Sequence, residues 1–233
     1  MSERKQIVTI DGPAGVGKST ISRKVAAALD FTYLDTGAMY RGVAYYLRQL
    51  AIDCRDESAV AAALVDLRLT LLPGKREGDE VGVIICGEDI SAHIRTPQMS
   101  MAASTVSKLM GVRKKLTAMQ QEIGERERIV AEGRDTGTVV FPLARYKFFL
   151  DAAPEERARR RILQLRASGQ EVDEDSILAL TIERDRNDRQ RAIAPLRQAA
   201  DAVLIDTTHL QIDEVCRRVL TSIADLQAEE RGR

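Results

Sequence analysis

Five short apolar runs, Ile7–Asp11, Tyr33–Asp35, Ile129–Glu132, Tyr146–Leu150 and Ala202–Asp206, punctuate this chain and read as buried strands. Between most of them, apolar residues recur at the spacing of one helix face, as at Ile21, Val25, Ala28 and Leu29. The pattern predicts helices over Lys18–Leu29, Ala38–Leu50, Val112–Ile123, Pro154–Ala167 and Asp175–Arg189. A last helix is expected around Ile212–Leu226, with Glu229–Arg233 as a frayed tail. Strands alternating with helices imply an α/β fold: a parallel sheet with helices on both faces, whose ligands bind beyond the carboxyl ends of the strands.

One stretch breaks the alternation. Leu67–Leu71 and Val81–Ile85 read as a hairpin with Pro73–Asp79 as its polar turn, which does not extend a parallel sheet. Residues 58–107 are therefore expected to form a small inserted subdomain. Residues 1–57, 108–152 and 190–233 would make the core, and 153–189 a further helical element.

Composition narrows the function classes. The 233 residues carry 35 acidic and 35 basic side chains, so no global field favours nucleic acid or an anionic membrane. Aromatic residues are few and Trp is absent, against a stacking platform for single strands. Cys54, Cys86 and Cys216 lack paired spacing and read as packed, reduced thiols, not a metal site. Met1 leads through Glu3, Arg4 and Lys5 directly into the first strand, with no apolar leader and no run of about eighteen apolar residues. A soluble cytoplasmic protein is expected.

The chemistry begins at Gly12-Pro13-Ala14-Gly15-Val16-Gly17-Lys18-Ser19, which fits G-x-x-x-x-G-K-[ST] between a predicted strand and helix. Glycines let backbone N–H groups turn inward around phosphate oxygens, and the helix N-terminus adds its dipole. Lys18 would reach the terminal phosphates, Thr20 would follow at the helix start, and the Ser19 hydroxyl would ligate Mg²⁺. A glycine-rich turn that binds nothing is the plain alternative. Asp11, ending the strand before this loop, either terminates it or orients a metal-bound water or an acceptor phosphate.

Arginines spread over several elements point from triphosphate binding toward phosphoryl transfer. No N-K-x-D guanine-reading motif is present. Arg41 opens the second helix, Arg113 a later one, and Arg134 follows a strand. Arg184, Asp188 and Arg191 lie at offsets 0, +4 and +7, one face if the helix continues. That face suits a nucleotide's phosphate and sugar, and equally a surface ion-pair ladder. Arg157, Arg159, Arg160 and Arg161 crowd one turn and a half before Gly169, as in a mobile lid closing over the transferring group. Arg159 and Arg160 are expected on a solvated face. Asp35, Thr36 and Gly37 could cap a helix, and His93 and His209 read as surface or capping residues.

Taken together these segments resemble the bacterial cytidylate kinase family over nearly the whole chain. The resemblance is carried by Ile10–Thr20, Leu34–Arg41, Gly87–Ile90 with Ile94–Arg95, Glu132–Val140, Glu155–Arg161, and Glu183 through Leu196. E-G-R-D-x-G-T-V-V and R-A-x-A-P-L are its most specific parts. It implies a nucleoside monophosphate kinase: an acceptor-binding insertion, a helical lid, and ATP and Mg²⁺ converting CMP or dCMP to CDP or dCDP. By resemblance Thr36, Arg41, Arg134 and Arg191 hold the acceptor phosphate. Arg184 and Asp188 meet the sugar, and Ser104, Arg113 and Asp135 the cytosine. Lys18, Arg157, Arg161 and Arg191 are expected to carry the transfer in a monomer. The chain departs from the family pattern at Met110, where proline is usual, at Gln121 for arginine and at Leu143 for aspartate. Another small acceptor, such as UMP or dTMP, or a regulatory P-loop ATPase are the competing readings.

Overall fold

The computed structural model describes residues 6–72, 81–167 and 169–231. In chain order its elements are β1 (Ile7–Asp11), α1 (Lys18–Leu29), β2 (Thr32–Asp35), α2 (Thr36–Gln49), α3 (Glu57–Asp66), β3 (Leu69–Leu72), β4 (Gly82–Ile85) and β5 (Glu88–Asp89). There follow α4 (Pro97–Val106), α5 (Met110–Arg126), β6 (Ile129–Gly133), a π-helical turn (Thr136–Val140), β7 (Tyr146–Asp151), α6 (Pro154–Ala167), α7 (Glu174–Gln190), β8 (Val203–Asp206) and α8 (Ile212–Arg231).

A five-stranded parallel sheet runs β2-β6-β1-β7-β8, with β1 at its centre. Burial on both faces is visible residue by residue along β6. Ile129 and Ala131 join a cluster with Met39, Val43 and Leu116, while Val130 joins the opposite cluster of Val25, Phe148 and Val219. Full burial of successive residues explains why the strands read as unbroken apolar runs. Register brings the carboxyl ends together: Asp11 lies beside Gly133 and Phe149, and Asp35 beside Glu132.

The insertion forms its own three-stranded antiparallel sheet, β3-β4-β5, with Leu69 opposite Ile85. Its apolar side chains are nevertheless continuous with the main core. Val60, Leu64, Val83 and Ile90 share one cluster with α2 and α5. The expected turn at 73–79 lies outside the described residues.

Several expectations change. α3, α4 and β5 are additional elements, and α2 starts two residues earlier because the Asp35 carboxylate accepts from Ala38 N at 2.8 Å. α8 extends to Arg231, past the helix end expected near Leu226. α7 ends at Gln190, and Arg191 is extended (φ −60°, ψ 138°), so the triad around Asp188 does not share one continuous helix. Of the three free cysteines, Cys216 is buried and Cys54 half-buried, whereas Cys86 is exposed, not packed. Among the described residues no helix is long and apolar enough to cross a membrane.

Candidate active site

β1 delivers the phosphate loop to the centre of the sheet's carboxyl edge, and packing dictates its glycines. At Gly12 (φ +151°) a Cβ would lie 2.1 Å from Leu150 O. At Gly15 (φ +83°) it would lie 3.1 Å from Arg157 Cβ. Only glycine fits both the left-handed backbone and these approaches. Gly17 (φ +90°) then caps α1 without a side chain, leaving its first N–H groups open. Val16 is core-buried, and with Gly12 and Pro13 it lies behind the loop; Ala14, Gly15, Gly17, Lys18, Ser19 and Thr20 form the wall of a cavity of about 610 Å³.

Lys18 is buried, and its Nζ donates to Pro13 O at 2.6 Å. Burial, reinforced by Arg134, holds its pKa well below the ordinary lysine value. Ser19 Oγ donates to Glu132 Oε1 at 2.8 Å.

Across the cavity, cations outnumber carboxylates two to one: Lys18, Arg23, Arg41, Arg134, Arg160, Arg161, Arg184 and Arg191 against Asp35, Glu132, Asp135 and Asp188. Such an excess suits a ligand bringing several negative charges. Asp35 gathers Arg41 at 3.1 Å and Arg95 at 3.4 Å. Burial pushes its carboxyl up, but these arginines outweigh it and hold it below the ordinary range. Thr36 Oγ1 donates to Glu132 O at 2.7 Å. Arg134 Nε donates to Asp188 Oδ2 at 2.9 Å, and Ser104 Oγ to Asp188 Oδ1 at 3.5 Å. Asp135 accepts from Arg191 Nη2 at 2.9 Å and, on its other oxygen, from Arg113. Burial, then the neighbouring Arg134, lowers the Arg184 pKa to about 10.

Three buried side-chain atoms without a hydrogen-bond partner, Arg41 Nε, Glu132 Oε2 and Arg184 Nε, belong to the wall of this one cavity. Buried polar groups are normally paired. Orphaned arginine donors are what an anionic ligand completes, and an orphaned carboxylate oxygen what a donor group or a cation completes.

Thr36, Arg41, Ser104, Arg134, Asp135, Arg184, Asp188 and Arg191 thus converge on the cavity, whereas Arg113 lies behind Asp135, 5.8 Å above the Tyr40 ring. Met110 is simply the exposed first residue of α5, and leaves Arg113 buried; Gln121 donates to Val140 O at 2.9 Å, and Leu143 is exposed.

The arginine-rich turn divides. Arg161 lines the cavity. Arg157 does not: it is buried, ion-paired through both terminal nitrogens to Asp185 of α7, and donates from Nη1 to Ala14 O at 3.1 Å. Arg159 is exposed and pairs with Glu156, as expected. Arg160 is not on a solvated face, because its Nη2 donates to Thr207 O at 2.6 Å and its Nε to Glu156 at 2.9 Å. Asp11 is closed to ligand. Its oxygens accept from Thr136 N (2.9 Å), Thr136 Oγ1 (2.8 Å) and Gly137 N (2.7 Å), which moulds the π-helical turn behind Asp135. His93 stacks on Tyr45 at the surface.

Sequence reasoning leaves the site residue Glu132 without a role. Glu132 is the penultimate residue of β6, and its Oε1 accepts from both Ser19 and, at 2.7 Å, the Tyr33 hydroxyl. Burial and the nearby Asp35 raise its pKa. The only sequence signal is an acidic residue at the carboxyl end of an apolar run. With Ser19 it supplies hard oxygen donors of the kind Mg²⁺ takes, and no cluster of three or more His, Cys, Asp or Glu among the described residues competes for a metal.

Residues 8–225 match the sequence profile of the cytidylate kinase family. The chain is 46% identical over 224 residues to a cytidylate kinase of Syntrophotalea carbinolica, covering 96% of this chain and 94% of that one. It is 44% identical over 223 residues to a cytidylate kinase of Vibrio cholerae, covering 96% and 98%. Among solved structures, an uncharacterised protein of Eubacterium ventriosum shares the fold with a TM-score of 0.50 at 11% identity, over 94% of this chain and 98% of that one.

Proposed function

The chain belongs to the cytidylate kinase family, and on that premise we propose how its site works. It is a CMP kinase, moving the γ-phosphoryl group of ATP onto CMP or dCMP to give ADP and CDP or dCDP. The observation that carries the assignment of the site is the single cavity in which the phosphate loop meets the orphaned Arg41 and Arg184 donors and the Asp135 and Asp188 carboxylates.

In this reading the loop N–H groups and Lys18 hold the triphosphate. Lys18 leaves Pro13 O to neutralise charge on the group in transfer. Arg41, Arg134 and Arg191, with Thr36, hold the acceptor phosphate, whose oxygen attacks the γ-phosphorus in line while ADP departs. Asp188 and Arg184 take the sugar, and Ser104 and Asp135 the base, with Arg113 behind Asp135 as its buried counter-charge. Arg161 completes the charge around the transferring group from α6. Arg157 acts by tying the loop to α6 and α7, in place of the direct phosphate contact expected from its position in the arginine-rich turn. Ser19 and Glu132 would hold Mg²⁺, which when bound neutralises phosphate charge and orients the triphosphate. Residues 58–107 form the acceptor-binding insertion and 153–189 the lid with its following helix, in a cytoplasmic monomer.

The test is ADP formation with CMP, dCMP, UMP and dTMP in parallel. CMP and dCMP turn over far faster than the other two. UMP or dTMP in first place would replace the acceptor, and ADP release needing no acceptor would restore the ATPase reading.

A further inference from the structure

Tyr33 takes no part in the reaction as described, yet its hydroxyl enters the site from behind. Its ring stands in the wall of a second, larger cavity of about 1110 Å³, between α1, β2, β3 and α5, whose lining includes Leu34, Leu71 and Met119. From that apolar side the hydroxyl donates to Glu132 Oε1 at 2.7 Å, the same oxygen that accepts from Ser19 Oγ at 2.8 Å. Glu132 is 5% exposed, and its Oε2 has no hydrogen-bond partner.

A buried carboxylate with one oxygen unpaired does not stay put by itself. Lys18 and Arg134 both lie in the same cavity wall, and a carboxylate that swings to Lys18 captures the ammonium needed at the triphosphate. Two donors converging on Oε1 prevent this. They fix the carboxylate plane, keep Oε2 available as an acceptor, and turn the Ser19 proton toward Glu132 so that the Ser19 lone pairs face the loop.

We propose that Tyr33 is a positioning residue for the donor side of phosphoryl transfer, whose hydroxyl locks Glu132 and, through it, the Ser19 hydroxyl. The proposal rests on the donor-side reading of Ser19 and Glu132. It predicts that the hydroxyl, and not the ring, carries the effect, and that the effect vanishes when Glu132 can no longer be locked as a carboxylate.

The experiment is a double-mutant cycle of Tyr33→Phe and Glu132→Gln, with steady-state kinetics, melting temperatures and calorimetric ATP binding with and without Mg²⁺. Phe keeps the ring in the cavity wall, so folding is retained. Tyr33→Phe lowers kcat about tenfold, the usual scale for one hydrogen bond to a charged group, with KM for CMP within about twofold. It weakens ATP binding in Mg²⁺ and leaves metal-free ATP binding unchanged, a split that altered packing does not produce. In the Glu132→Gln background the added loss in kcat falls below about twofold. An equal loss in both backgrounds, or equal weakening of ATP with and without Mg²⁺, overturns the proposal in favour of packing. Wild-type kcat in Tyr33→Phe overturns it outright. Wild-type kcat in Glu132→Gln overturns the donor-side reading itself, and leaves the acceptor assignment to be judged by the nucleotide panel.

Discussion

Asp135 Oδ1 accepts from Arg191 Nη2 at 2.9 Å with both side chains buried, which ties the end of β6 to the chain leaving α7. Arg113 occupies the other oxygen. The remaining lone pairs of Asp135 offer hydrogen-bond acceptors to whatever enters the cavity. That property suits cytosine, whose exocyclic N4–H₂ is a donor; uracil presents O4, an acceptor, at the same place.

Asp135→Asn therefore has two consequences. The ratio of kcat/KM for CMP to that for UMP falls, mainly through lost CMP activity. Polar mismatches of this kind discriminate by up to about 10⁴. Stability falls as well, by about 3 kcal/mol, because two buried cations lose their shared anion. Kinetics on both nucleotides and a denaturant titration measure the two separately. An unchanged CMP/UMP ratio would move base reading elsewhere, with Ser104 next in line.

Lys18→Ala gives the opposite pairing of effects. Loss of a preorganised cation at the transferring group lowers kcat by at least about a hundredfold. Stability holds or rises, since the buried ammonium is desolvated beside Arg134 and Arg184. Melting temperature and kcat are the readouts, and turnover within a few-fold of wild type would remove Lys18 from the mechanism.

Asp11→Asn separates the structural role seen here from contact with ligand. The amide offers one acceptor oxygen where two oxygens now take three donors, so at least one buried N–H is left unpaired. The expected cost is about 2 kcal/mol, or roughly 4–8 °C in Tm for a chain of this size. A large loss of kcat with unchanged Tm would instead return Asp11 to the ligand.

The sequence shows some of this plainly and hides the rest for physical reasons. Val8, Ile10, Ile129, Val130 and Ala131 are all fully buried, so each strand appears as a continuous apolar run. α3 buries only Val60 and Leu64, and α4 only Met99, Ala103 and Val106, too thin a stripe to stand out. Both residues of β5 are exposed, so nothing in their character marks a strand. Arg184 and Asp188 are legible by helical spacing. Arg191 reaches Asp135 by a different route, because the chain turns extended after Gln190. Glu132 lies on β6, far from the phosphate loop in sequence, and the pairing of β6 with both β1 and β2 brings it to Ser19 and Tyr33.

At the N-terminal turn of α6, Glu156 is held by Arg159 and Arg160, and Arg160 also holds Thr207 O. Hydrogen bonds from Arg159, with burial opposing, lower the Glu156 pKa from 4.5 to about 2. A folded-state pKa below the unfolded one gives stability that is fully present above the unfolded value. It is lost as pH falls toward the folded value. The Tm difference between wild type and Glu156→Gln is therefore constant at neutral pH and shrinks on acidification from about pH 4.5 to about pH 2. A difference that did not change with pH would mean that Glu156 acts by packing alone.

Asp188 offers the sharpest test of the acceptor side, because two roles meet in one carboxylate. It accepts from Arg134 Nε at 2.9 Å, and Ser104 Oγ stands 3.5 Å from its other oxygen. Burial pushes its pKa up, but Arg134 and Arg184 outweigh this and keep it ionised. An ionised carboxylate flanked by arginines accepts from sugar hydroxyls, and a 3′-hydroxyl is common to CMP and dCMP. Asp188→Ala therefore raises KM for both by about ten- to a hundredfold, the range for hydrogen bonds to a charged partner. Arg134 is freed by the same change, so loss of phosphate positioning must be told apart from loss of the sugar contact. A substrate lacking both sugar hydroxyls makes the distinction. If Asp188 reads the sugar, wild type already handles 2′,3′-dideoxy-CMP poorly, and Asp188→Ala costs that substrate little more. If Asp188 serves only to aim Arg134, the dideoxy substrate suffers the same further loss as CMP. Wild-type KM for CMP and dCMP in the variant would leave Asp188 as a structural partner of Arg134 with no contact to the acceptor.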